Sequence, residues 1–193
     1  MTKVSIRACE SYDYDVFRKS FEKMIEDIGG LSKFVKEGSK VVIKPNLVIK
    51  KNPEEGATTH PVLVRIVCEE LLKLNCEVMI AESPGGPYNK SNLKGFYKTC
   101  GLIDELEGLD IKFNYDTSEV QVHNDDAVYL KTMEVIKPIA DADFVINLCK
   151  LKTHKMRNTQ EGLRIYTVWF RDLKRRKFII DFKRKNYFVR MFF

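Results

Sequence analysis

The chain has 193 residues, 33 Lys+Arg against 27 Asp+Glu, and 44% hydrophobic residues. That apolar share is ample for a core and excludes global disorder, and the length fits one domain of ordinary size. No apolar run is long enough to span a membrane, and no basic segment leads into an apolar stretch at the N-terminus. A cytoplasmic protein with no membrane partner is therefore expected. Five cysteines (Cys9, Cys68, Cys76, Cys100, Cys149) are scattered without a Cys-x-x-Cys pair. Their spacing disfavours a disulfide framework and a local zinc or iron–sulfur site, so no metal ligands are assigned.

The net charge of +6 divides unevenly. Residues 1–156 hold 22 Lys+Arg and 24 Asp+Glu; residues 157–193 hold 11 and 3. Basicity belongs to the last 37 residues, which also carry nine of the 21 aromatics and the single Trp. Two compositions meet near Met156 and need separate explanations.

Residues 3–8 alternate apolar and polar, which predicts a strand. Asp13 or Asp15 caps a helix with Val16, Phe17, Phe21, Met24, Ile25 and Ile28 on its apolar face, and Gly29-Gly30 stops it. Val41-Val42-Ile43 reads as a strand buried on both faces and ended by Pro45. Thr59-His60-Pro61 opens a helix whose apolar face is Val64, Val67, Cys68, Leu71 and Leu72. A strand at 78–81 leads into the turn-rich SPGGPYN, and a helix over 93–100 ends at Gly101. Strand-like pieces near 111–113 and 127–132 precede a strand at 144–148. No internal repeat is evident. The alternation predicts an α/β fold, a mainly parallel sheet with helices on both faces.

Three strand-like runs end in polar clusters: Lys44-Pro45-Asn46, Glu82-Ser83-Pro84-Gly85-Gly86 and Lys150-Leu151-Lys152-Thr153-His154. Ligands of open parallel sheets bind beyond the carboxyl ends of the strands. If the three ends meet, Lys44, Lys150, Lys152 and His154 gather positive charge, and Thr58, Thr59 and the N–H groups opening the 61–74 helix add donors. Such a site suits an anionic small molecule, a phosphate or carboxylate. The ligand-binding set is then Lys44, Asn46, Thr59, His60, Glu82, Ser83, Gly85, Gly86, Lys150, Lys152, Thr153 and His154. Plainer readings stand beside it. The Pro and Gly residues turn the chain, His60 caps its helix, and His123 sits in a solvated loop. The cysteines read as core.

The strings VVIKPNL, TTHP, AESPGG and DADFVINLCKLKTH, in that order, resemble the domain-of-unknown-function family numbered 362. The likeness covers residues 1–156, and the family pattern falls on Lys44, Pro45, Asn46, Thr59, His60, Pro61, Ser83, Pro84, Gly85, Gly86, Lys150, Lys152, Thr153 and His154. Many members carry a ferredoxin-type module after this domain, so the resemblance implies an iron–sulfur cluster in full-length relatives and no cofactor in this chain.

After Met156 the family's Thr-Gly segment, Lys-Asn pair and Pro-Gly turn do not follow. With synonymous codons chosen freely, a one-base shift from Asn158 onward permits YTGGLKNLYGMVPG, that same continuation without a gap. Residues 1–156 are thus expected to be the N-terminal part of a truncated domain. Residues 157–193 are expected to be a basic aromatic tail read out of frame.

The leading expectation is a family-362 fragment, inactive by itself. Its intact parent binds an anionic small molecule or cofactor at the strand ends, linked to iron–sulfur electron transfer. An enzyme would draw on His154, His60 or Lys150 for acid–base work, with Glu82 orienting one of them. The rivals are a non-catalytic phosphate- or carboxylate-binding module and nucleic-acid binding through the tail. An out-of-frame tail disfavours that last partner. Self-association through an exposed sheet edge is a further expectation.

Overall fold

A computed structural model describes residues 3–123, 125, 131–150, 152–153, 159–160 and 190–192. The first helix, α1 (Tyr14–Ile28), is capped by Asp13, whose carboxylate accepts from the N–H groups of Asp15 and Val16. It stops at Gly29, whose φ of 102° lies in the left-handed region that only glycine enters cheaply. Phe17, Phe21, Met24 and Ile25 are buried as the periodicity predicts, but Val16 is 44% exposed. It falls outside the stripe that meets the core.

The strand expected over residues 3–8 does not form. Among the described residues the segment pairs with no strand. Ser5 and Arg7 instead anchor it to Asp27 of α1, Arg7 through both Nε (2.9 Å) and Nη2 (2.6 Å). Alternation alone describes an extended chain, and a strand also needs a neighbour to complete its hydrogen bonds.

Strand β1 (Lys40–Pro45) is central. It is followed by α2 (Pro61–Leu72), β2 (Glu77–Ile80), α3 (Lys90–Thr99), α4 (Leu102–Glu105) and β3 (Ile111–Phe113). An antiparallel hairpin comes next, β4 (Glu119–His123) with β5 (Thr132–Ile136), then α5 (Lys137–Ala140) and β6 (Phe144–Cys149). The sheet order is β3-β2-β1-β6-β9, all parallel, where β9 is Arg190–Phe192. Two-residue strands β7 (Lys152–Thr153) and β8 (Thr159–Gln160) pair antiparallel. Of the strand-like piece expected at 127–132, residues 127–130 lie outside the described residues and Thr132 opens β5; His123 ends β4 rather than lying in a loop. Its ring contacts Thr132 Oγ1 across the pair.

Each face of the sheet has its own core. Val41 and Ile43, Val78 and Ile80, and Ile146 and Leu148 pack with α1, α2, α3 and α4. Val42 and Val145 point the other way, with Ala81, Ile136 of β5 and Ile139 of α5. Among the described residues helices therefore lie on both faces, α1 to α4 on one and the short α5 with its hairpin on the other.

Candidate functional site at the carboxyl ends of the sheet

From β1 the chain moves outward to β2 and β3, then returns across the sheet to place β6 on the opposite side of β1. The β1/β6 boundary is thus the topological switch point, where the loops leaving two neighbouring strands diverge and open a crevice. The register pairs Lys44 with Asn147 and Pro45 with Leu148, and Ile43 with Ile80. The three polar clusters accordingly leave the same edge.

Lys44 is fully buried and meets Glu82, which is 2% exposed, with Nζ 3.0 Å from Oε1 and 3.1 Å from Oε2. Lys44 also donates to the carbonyl of Pro45. Glu82 Oε2 accepts from Leu47 N–H at 3.0 Å and Oε1 from Ser83 N–H at 2.8 Å. A buried carboxylate needs this many donors. The pair ties the loop after β1 to the loop after β2. Sequence reading placed Lys44 among the cations for a ligand and gave Glu82 to a histidine or Lys150, but the fold joins the two to each other.

Thr59 performs the same task between β1, β6 and α2. Its Oγ1 accepts from Asn46 N–H (2.8 Å) and donates to the carbonyl of Leu148 (2.7 Å), while its own N–H donates to the Asn46 carbonyl (3.1 Å). Asn46, Thr58, Thr59, Ser83 and Asn147 are all buried. Gly86 has a φ of 94°, so the turn itself demands glycine there. A side-chain carbon on Gly85 would stand 3.7 Å from the Val48 carbonyl, an ordinary contact.

The half-buried part of the site lies where the N-terminal segment crosses the start of α2. His60 caps the helix, its Nδ1 accepting from Val62 N–H at 3.4 Å. Its ring stacks on Tyr12 with centroids 3.9 Å apart and planes 9° apart. The Lys150 ammonium, just past β6, donates to the Tyr12 hydroxyl at 2.7 Å. Burial holds the His60 pKa below its ordinary 6.5; Glu54 opposes that shift and Lys150 reinforces it. Among the described residues no carboxylate forms a salt bridge with Lys150. Lys152 and Thr153 follow as strand β7, and His154 lies outside the described residues.

Two participants were absent from the sequence reading. Asn147 carried a signal, as a polar residue inside the apolar run FVINLC. Tyr12 carried none, since only the path of the N-terminal segment brings it to this edge. Among the described residues no three His, Cys, Asp or Glu side chains gather to hold a metal ion, and no two of the five cysteines are joined in a disulfide.

A family model described as domain of unknown function (DUF362) matches residues 41–177. The chain belongs to this family. The match begins at β1, includes every polar strand end of the site, and runs past Met156. The chain is also 28% identical over 162 residues to the thylakoid-associated protein sll1697 of Synechocystis sp.. That stretch is 83% of this chain and 48% of the relative, so the chain spans about half the length of the curated relative it matches.

Proposed function

We propose that this DUF362 domain binds an anionic small molecule or cofactor, through a phosphate or carboxylate group, in the crevice between the ends of β1 and β6. The observation that carries the reading is Lys150. It is a half-buried ammonium at the switch point, held by a neutral phenol, whereas the buried Lys44 is matched by Glu82. A charged donor whose hydrogen-bond partner among the described residues is uncharged keeps its attraction for an outside anion. Iron–sulfur electron transfer is proposed only for longer relatives. Among the described residues no helix is long and apolar enough to cross a membrane. A cytoplasmic setting is supported by five cysteines with no disulfide among them.

Calorimetric titration of phosphate- and carboxylate-bearing metabolites tests the reading. Saturable binding is expected, weakened about tenfold or more in Lys150→Ala, the equivalent of one charged hydrogen bond. Equal affinity in the variant would remove Lys150 from the site. Nucleic-acid binding through the tail is the rival, and deletion of residues 157–193 would abolish it while sparing the metabolite.

A further inference from the structure

The distribution of hydrogens in the Tyr12–His60–Lys150 cluster follows from which atoms can accept. An ammonium has three N–H donors and no acceptor, so in its 2.7 Å contact with Lys150 the Tyr12 oxygen accepts. The phenolic hydrogen is then free for another oxygen, and among the described residues no hydrogen bond uses it. His60 is constrained from the other side. Its Nδ1 accepts the Val62 N–H at the first turn of α2, and an accepting imidazole nitrogen bears no proton. The neutral ring therefore carries its proton on Nε2. Stacking on Tyr12 at 3.9 Å holds the imidazole plane while the helix cap fixes its rotation. All three residues are half-buried, so each is reachable from solvent yet partly desolvated.

We infer that Tyr12, His60 and Lys150 form an oxyanion clamp in which the Lys150 ammonium, the Tyr12 hydroxyl and the His60 Nε2–H together bind a phosphate or carboxylate group. This rests on the anion-binding reading above and deepens it by assigning donors that lie outside the lysine motif after β6. Tyr12 acts twice, as a donor to the ligand and as the residue that positions Lys150. Its ring comes from a segment 138 positions away from Lys150 in sequence. The N-terminal segment is thereby a strap across the site, anchored by Ser5 and Arg7 to Asp27.

The test uses the 193-residue chain with inorganic phosphate and acetate as probes, whose relative affinities separate a phosphate from a carboxylate ligand. Tyr12→Phe keeps the ring on His60 and removes only the hydroxyl. It is expected to weaken phosphate or acetate binding about tenfold, with the circular dichroism spectrum unchanged. Long-range proton–nitrogen spectra of the wild-type chain at pH 7.5 are expected to show His60 protonated on Nε2. Unchanged affinity in Tyr12→Phe, with binding lost in Lys150→Ala, would overturn the clamp and leave the anion-binding reading standing. His60 found protonated on Nδ1 would overturn the clamp by itself, whatever the variants do. A wild-type chain that binds neither probe would overturn both.

Discussion

Lys44 and Glu82 form a buried ion pair, and removing one partner is costly. Burying either charge alone is expensive, and the pair is tolerated because Glu82 also accepts from Leu47 and Ser83. Glu82→Ala should therefore destabilise the chain by about 3–5 kcal/mol, because it strips the carboxylate from a buried ammonium. The double variant Lys44→Met with Glu82→Ala should recover part of that loss. Urea denaturation of the single and double variants measures the coupling, and strictly additive losses would deny it. His60 sets a pH dependence. Its folded pKa is depressed, so the unfolded chain binds the proton more readily. Stability from this residue is full above pH 6.5 and falls as pH drops toward the folded pKa. His60→Asn retains a capping side chain and should flatten that part of the stability profile.

At the scale of elements, Thr59 joins three pieces of backbone through one hydroxyl. Thr59→Val keeps the shape but leaves the Asn46 N–H and the Leu148 carbonyl without this partner in a buried setting. A loss of about 1–3 kcal/mol is expected. Faster hydrogen exchange at Asn46 than at Val42 would show that the break is local to the strand end. The start of α1 offers a milder contrast. Asp13→Ala removes an exposed cap and should cost about 1 kcal/mol by thermal unfolding, with no effect on the buried strand ends.

At the scale of the molecule, the composition break near Met156 divides a mixed-charge part from a basic one. We propose that residues 157–193 are an out-of-frame reading, and nucleotide sequence around codon 157 tests it directly. The described backbone places Arg190–Phe192 beside β6 in parallel. If that segment was never selected to complement the sheet, its amides should exchange much faster than those of β6, and the purified chain should self-associate through poorly covered apolar surface. An intact frame together with β9 amides protected as strongly as β6 would establish a genuine variant domain.

The sequence by itself determined the alternating α/β order, a cap at Asp13 or Asp15, the helix opening at Thr59-His60-Pro61, and the polar strand ends at 44–46, 82–86 and 150. Each of these depends on local period, turn chemistry or capping, which neighbouring residues encode. Even the common edge follows from parallel strands whose ends are all polar. Only the tertiary structure decided which polar groups meet. Lys44 turned to Glu82 because both were desolvated at adjacent strand ends and each needed an opposite charge. Residues 3–8 stayed unpaired because the Ser5 and Arg7 contacts with Asp27 hold the segment along α1, away from any strand. Tyr12 reached His60 and Lys150 because that segment then crosses the start of α2. Such pairings depend on the path of the chain through space, and residues 138 positions apart carry no local record of it.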